Sequence, residues 1–93
     1  MTKKELIEDL AVARNMRARD ARAVVDTLLQ TIERALTEGQ AVTLRGFGRF
    51  EVRPRGGRLV RVPGNGSQIR VPARLAPVFR SAPSLGKRVS ARE

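Results

Sequence analysis

The spacing of apolar residues changes at Gly39, and this change constrains the fold more than any other feature of the sequence. Before Gly39, apolar residues recur at intervals of three and four positions, a spacing typical of helices. After Gly39 they alternate with polar residues, which is typical of strands. The sequence therefore predicts an α+β protein in which helices precede a sheet. Its 93 residues are enough for one domain with a small core.

Two helices are predicted in residues 1–39. Thr2 and Glu5 have the spacing of a capping box, in which a hydroxyl and a carboxylate bond free N–H groups of the first turn. Asn15 is expected to end the first helix in a left-handed conformation, and Gly39 to end the second. The second helix carries an apolar stripe that is wide for so short a chain, which leaves room for burial against a second subunit. The stripe consists of Ala21, Val24, Val25, Leu28, Leu29, Ile32, Ala35 and Leu36.

A hairpin is predicted around Gly46-Phe47-Gly48, because alternating apolar residues lie on both sides of it and glycine adopts backbone angles closed to other residues. Phe47 and Phe50 are expected in the core, and Phe79 is expected to close the same core. Near the end of the chain a short helix is expected, with Ser84 as its N-cap.

Charge is distributed very unevenly along the chain. Residues 1–39 carry seven basic and seven acidic residues, whereas residues 40–93 carry twelve basic and two acidic ones, so the whole net charge of +10 lies in the second part. From Arg53 to Arg92 there is no acidic residue. Codon usage in a GC-rich genome explains part of the preference for arginine, but not its confinement to segments without acids. Such a surface attracts a polyanion.

The segment 53–74 is predicted to form a β-ribbon that has little to pack against. Its apolar residues are sparse and mostly β-branched, and Pro63-Gly64-Asn65-Gly66 is a strong turn signal. A disordered arginine-rich loop is the alternative, but the turn signal and the symmetry of the two limbs favour a ribbon that orders on binding. A two-stranded ribbon fits into a groove of DNA.

Several function classes are disfavoured. The chain has no Cys and no His, and nearly all its acids lie in the helical part, so neither catalysis nor a metal or other cofactor is expected. No apolar run approaches the roughly 18 residues of a membrane span. The charge and the apolar stripe lie on different elements, which argues against a helix lying on a membrane. An RNA-binding or ribosomal protein stays open as an alternative, although such proteins more often carry exposed aromatic residues for stacking.

One stretch of sequence is specific enough to indicate a family. Residues Gly39 to Val52 read GQAVTLRGFGRFEV and resemble the block G-x-x-V-x-L-x-G-F-G-x-F-x-V of the bacterial HU/IHF family of DNA-bending proteins. The opening residues 2–7 resemble the N-terminus of that family, and the resemblance extends over essentially the full chain. At the tip of the predicted ribbon, Arg61, Pro63 and Gly66 match the family pattern, whereas Val60, Val62 and Asn65 differ from it.

The resemblance implies a fold in which two N-terminal helices form the base of an intertwined dimer. A three-stranded antiparallel sheet then carries a protruding basic β-ribbon arm, and a short C-terminal helix follows. Within a single domain of residues 1–93, this assigns residues 1–39 to dimerisation, 40–52 and 71–80 to the sheet, 53–74 to the arm and 83–91 to the last helix.

The function implied by the resemblance is that of a non-sequence-specific, nucleoid-associated protein that binds the minor groove through its arms and bends and compacts DNA. Pro63 takes the position of the family's wedge between base pairs, and Val62 adds an apolar side chain beside it. The basic residues of the arm and three flanking basic positions would contact DNA. The expected DNA-binding residues are Lys3, Arg53, Arg55, Arg58, Arg61, Val62, Pro63, Asn65, Arg70, Arg74, Arg80 and Lys87.

The expected partners are double-stranded DNA, with nicked, gapped or distorted DNA favoured, and a second copy of the chain. Pairing with a related subunit and an IHF-like sequence preference both stay open from the sequence. The expected location is the cytoplasm, on the nucleoid, with no membrane partner.

Overall fold

The structure, a computed structural model, describes residues 1–61, 64 and 66–92, and of residues 58–61, 70 and 71 it describes the backbone alone. Contacts within the chain divide it into two compact units, Met1–Ala35 and Leu36–Glu93. Over the described residues the order of elements is α1 (Lys3–Arg14), α2 (Ala18–Thr37), β1 (Val42–Leu44), β2 (Gly48–Arg55), β3 (Arg58–Arg61), β4 (Gln68–Val71), β5 (Arg74–Ser81) and α3 (Pro83–Ser90).

Local capping signals set the ends of the first two helices. The hydroxyl of Thr2 accepts a hydrogen bond from the backbone N–H of Glu5 at 3.2 Å and donates to the carboxylate of Glu5, also at 3.2 Å. Asn15 follows α1 in the left-handed conformation with φ +52°, as predicted. After α2, Gly39 has φ +80° and donates its N–H to the carbonyl oxygen of Leu36 at 3.0 Å. The predicted end of the second helix is therefore confirmed.

Within one chain, the apolar stripe of α2 is only partly covered. Among the described residues, Ile7 and Ala21 are the only buried apolar side chains. Leu28 is 56% exposed, and Val24 and Leu29 are nearly half exposed. None of the described helices combines the length and the apolar character that crossing a bilayer requires.

The strands β1, β2 and β5 form a three-stranded antiparallel sheet with β2 at its centre. Its hairpin turn places Gly46 at φ +81°, and the N–H of Phe47 donates to the carbonyl oxygen of Leu44 at 2.9 Å. Phe50 pairs with Phe79 across the β2–β5 ladder, and their ring centroids lie 5.0 Å apart. Phe47 joins this cluster at 5.5 Å from Phe79.

Phe47, Phe50 and Phe79 were predicted to lie in one core. Their ring contacts confirm that they form one cluster, but within one chain the cluster is only partly buried. Phe47 is 47% exposed and Phe79 is 42% exposed. The backbone of a sheet shields the side chains on its face from one side only. The phenylalanine rings therefore stay partly exposed to solvent until another layer packs on that face.

The arm is a second, separate ladder. Pairing of β2 with β5 ends at Arg55 and Arg74, and β3 then pairs with β4 as a two-stranded sheet. Gly56 and Gly57, with φ +89° and +75°, occupy the break between the two ladders. Two paired strands confirm a ribbon, although Arg53, Arg55 and Arg74, which were predicted to lie in it, pair in the β2–β5 ladder of the sheet. Pro63 and Asn65 of the predicted turn lie outside the described residues.

The prediction that Ser84 caps the last helix is wrong. The N-cap of α3 is Ala82, and Pro83 follows at the first helical position, where its fixed φ and missing N–H are favourable. Ser84 therefore lies inside the helix, and its hydroxyl donates to the carbonyl oxygen of Gly46 at 3.3 Å. The N–H of Ala82 donates to the carbonyl oxygen of Phe47 at 2.9 Å. These two bonds attach the start of α3 to the β1–β2 hairpin.

Candidate nucleic-acid interface

The sheet has two chemically different faces. Its unbroken β2–β5 ladder places alternate residues on opposite sides. One face carries the phenylalanine cluster of Phe50 and Phe79. The other face is called the basic face here and bears Arg49, Glu51, Arg53 and Arg55 on β2 and Arg74 and Arg80 on β5.

Glu51 lies at the centre of the basic face and contacts three guanidinium groups. Nη1 of Arg80 donates to its Oε1 at 3.4 Å, Nε of Arg49 lies 3.6 Å from its Oε2, and Nε of Arg53 lies 3.9 Å from its Oε1. The Glu51 side chain is 14% exposed, whereas the three arginine side chains are 50–63% exposed. One largely covered carboxylate thus holds three arginines whose outer surfaces face solvent.

Arg49 is held from a second side. Its Nη1 donates to the hydroxyl of Thr43, its cross-strand partner on β1, at 2.9 Å. A guanidinium carries five N–H donors in a fixed plane, so these contacts fix its orientation and leave donors for a phosphate. An open cavity of about 270 Å³ at the hairpin end of the sheet is lined by Arg45, Arg49 and Arg80 among others, which extends the basic surface toward the hairpin.

At the other end of the sheet, Arg55 lies directly opposite Arg74 in the last pair of the β2–β5 ladder. Like charges in directly opposed positions destabilise a sheet. The sequence has no acidic residue between Arg53 and Arg92, so Glu51 is the one carboxylate in β2 and β5. No acidic side chain therefore lies next to Arg55 and Arg74 in these strands to offset their repulsion. An anion bound between the two arginines would relieve it.

Apart from Lys3, the sequence-predicted site residues fall into three groups. Arg53, Arg55, Arg74 and Arg80 are brought together on the basic face. Lys87 lies exposed on α3. For the arm, the structure gives the backbone of Arg58, Arg61 and Arg70 in strands β3 and β4 but not their side chains, and Val62, Pro63 and Asn65 lie outside the described residues.

Lys3 lies on α1, in the other unit of the chain. Its Nζ forms an ion pair with Oδ1 of Asp26 at 2.7 Å, and both side chains are partly exposed. The charge of Lys3 is therefore partly balanced within its own unit, which the sequence pattern did not indicate.

Sequence reasoning missed two members of the basic face. Arg49 and Glu51 were not among the predicted site residues. A signal for both was present, since Arg49, Glu51, Arg53 and Arg55 follow one another at every second position of a predicted strand, which places them on one face.

A comparison with protein-family models matches residues 1–90 to the model described as "Bacterial DNA-binding protein". The chain belongs to this family, whose members include the HU proteins. Among its relatives, the DNA-binding protein HU of Thermus thermophilus is 39% identical over 89 residues, covering 96% of this chain and 92% of the relative. The DNA-binding protein HU of Streptococcus pyogenes is 41% identical over 83 residues, covering 89% and 91%.

Solved structures of HU proteins have the same fold. Anabaena HU, in a cocrystal structure with DNA, superposes with a TM-score of 0.86 at 34% identity, covering 97% of this chain and 98% of that one. The V42I mutant of Thermotoga maritima HU gives a TM-score of 0.71 at 30% identity, covering 96% and 99%. The predicted family and fold class are thereby confirmed. The chain is an architectural DNA-binding protein of the HU type and not an enzyme.

Proposed function

We propose that the chain acts as a dimer whose two arms enter the minor groove of double-stranded DNA while the basic faces contact the phosphates, so that DNA is bent and compacted on the nucleoid without a strong sequence preference. The observation that carries this proposal is the gathering of Arg49, Arg53, Arg55, Arg74 and Arg80 on one face of a sheet whose strands β2 and β5 are joined along the chain to the arm. Phosphate contacts of this kind supply affinity without reading sequence.

The arm has the shape and the charge that groove binding requires. Its two antiparallel strands are free of acidic residues, and they extend beyond the sheet after the break at Gly56 and Gly57. A two-stranded ribbon can enter a groove, and the minor groove distinguishes base pairs poorly. Arginine is favoured in a narrow minor groove by its negative potential. An arm whose charged residues are arginines in the minor groove is therefore expected to show a weak sequence preference.

Within the arm, the proposal assigns Pro63 the role of a wedge at a base step, with Val62 beside it. Proline has no N–H to leave unpaired between bases, and its ring is apolar. Unstacking a base step costs a few kcal/mol, and the bent duplex then offers more phosphate contact. Because a nick or a gap already interrupts stacking, DNA with such a break is expected to bind more tightly.

A second copy of the chain is the expected partner in the dimer. Leu28 on α2 is 56% exposed, and the rings of Phe47 and Phe79 are more than two fifths exposed. Apolar side chains of this size are usually buried in a stable protein. A dimer would also carry two arms, and both could act on the same duplex. The proposed bending requires contacts at two places on one duplex.

The test is a gel-shift series on intact duplex, the same duplex with a nick or a two-nucleotide gap, and double-stranded RNA of the same length. The proposal expects gapped or nicked DNA to bind best, intact DNA next and RNA weakest. The double variant Arg55→Ala/Arg74→Ala should weaken binding to both DNA forms. A matched control, Arg14→Ala/Arg19→Ala, removes the same charge from helical positions and should weaken binding much less. Equal losses from the two variants would reject the basic face as the contact surface.

A further inference from the structure

Glu51 is the one acidic residue in the described strands of this chain, and it lies at the centre of its most basic surface. A carboxylate next to a surface that receives phosphates repels them, so its presence there needs a reason. Its side chain is 14% exposed, while the arginines around it are at least half exposed. The carboxylate therefore lies beneath the guanidinium groups, and DNA would meet the arginines first.

We propose that Glu51 is a positioning residue for DNA binding, which holds Arg49, Arg53 and Arg80 in a fixed array before the duplex arrives. This inference rests on the proposed role of the basic face in contacting phosphates. The three arginines come from two strands, and their common contact is the one carboxylate.

The physical basis is the entropy of long side chains. A free arginine samples many rotamers, and ordering it on binding opposes association. An arginine already held by a carboxylate loses less freedom when a phosphate approaches, and its remaining N–H donors stay available. Arg49 is held twice, because Nη1 also donates to the hydroxyl of Thr43 at 2.9 Å.

The opposite role is masking, in which Glu51 competes with phosphate for the same guanidinium groups. The two roles differ in how Glu51 changes the contribution that an arginine makes to DNA affinity, that is, in the sign of the coupling energy between the two residues. Under positioning, Arg80 contributes more to DNA affinity when Glu51 is present. Under masking, Arg80 contributes more when Glu51 is absent.

A double-mutant cycle with the full-length protein measures that sign. DNA affinity is determined by fluorescence anisotropy for the unmodified protein, Glu51→Gln, Arg80→Ala and the double variant, at one fixed salt concentration. We expect the loss caused by Arg80→Ala to be about threefold larger in the presence of Glu51 than in the Glu51→Gln background. Equal losses in the two backgrounds would overturn the proposal, and so would a larger loss in the Glu51→Gln background.

Two further variants separate geometry from charge. Glu51→Asp keeps the charge but shortens the side chain, so positioning predicts weaker DNA binding, whereas unchanged affinity would contradict it. Glu38→Gln removes one negative charge at an exposed position outside the described strands, where no ion pair with Arg80 is formed, and it should show no coupling with Arg80→Ala. Thermal unfolding of each variant confirms that the protein tested is folded.

Failure of this inference can be distinguished from failure of the proposed function. If Arg80→Ala leaves DNA affinity unchanged in both backgrounds, the basic face does not contact phosphates at this position, and both proposals fail there. If Arg80→Ala weakens binding equally in both, the basic face stands and the positioning role of Glu51 is rejected.

Discussion

Gly48 lies so close to the ring of Phe79 that a Cβ atom added to it would stand 2.5 Å from two ring carbons. The same atom would lie 2.7 Å from the backbone carbonyl oxygen of Arg80, which cannot move without disturbing the ladder. We therefore expect Gly48→Ala to lower the free energy of unfolding by about 1–3 kcal/mol, the usual range for overpacking. Chemical denaturation monitored by circular dichroism measures this change.

A matched control for that variant is Gly86→Ala. Gly86 lies in α3, and nothing stands within 4 Å of the position its Cβ would take. Because alanine favours helix more than glycine by about 1 kcal/mol, this variant should stabilise the protein. Similar destabilisation by both variants would show that the ring of Phe79 is not what excludes a side chain at Gly48.

The proposed dimer makes a prediction about concentration. If a second subunit covers the stripe of α2, the midpoint of thermal unfolding rises with protein concentration, since association stabilises the folded state. Leu28→Ala should then cost about 2–5 kcal/mol, as for a buried leucine. A concentration-independent midpoint with a loss below about 0.5 kcal/mol would mean that Leu28 stays as exposed as it is in one chain.

The basic face makes a prediction about salt. If the dimer neutralises roughly 6–10 phosphates, the logarithm of the association constant should fall against the logarithm of salt concentration with a slope of about −5 to −9. Arg55→Ala should flatten that slope by about one unit for each phosphate that its guanidinium group neutralises. Titrations at a series of salt concentrations measure both slopes. Affinity that barely changes with salt would contradict a surface that acts through phosphates.

The arm tip makes a prediction that separates bending from binding. If Pro63 is the wedge, Pro63→Ala should lower the bend angle, measured by energy transfer between dyes at the two ends of a duplex, because the wedge would be shortened. Arg58→Ala/Arg61→Ala should instead weaken binding to all DNA forms. If Pro63→Ala leaves the angle unchanged, Val62→Ala is the next variant, and an unchanged angle in both would mean that the chain binds without kinking.

Much of the fold could be predicted because its signals are local. Thr2, Asn15 and Gly39 act on the turns next to them, so sequence spacing alone indicates where the helices begin and end. The prediction failed at Ser84 because a hydroxyl is only one way to begin a helix. Ala82 is the N-cap of α3, two positions before the predicted cap, with Pro83 as the first helical residue, and Ser84 bonds the distant carbonyl of Gly46 instead.

What the sequence could not show depends on contacts between distant residues. Glu51 and Arg80 are 29 positions apart, and only the register of β2 with β5 brings them together. Gly48 was predicted to serve the backbone of the turn, yet it is Gly46 that has the positive φ, and Gly48 is required by the ring of Phe79. The need for glycine at position 48 can be recognised only when β5, which carries Phe79, is paired with β2.

The break at Gly56 and Gly57 determines how mechanical load passes through the protein. The β2–β5 ladder has eight paired positions and the described part of the β3–β4 ladder has four, and no pair of described residues joins them across the break. Between the two ladders the chain runs through Gly56 and Gly57 on one limb and through Pro72 and Ala73 on the other, and a duplex that pulled on the arm would act on these unpaired residues first. If the arm binds DNA as proposed, it can change its direction at this break while the register that holds Phe50 opposite Phe79 is kept.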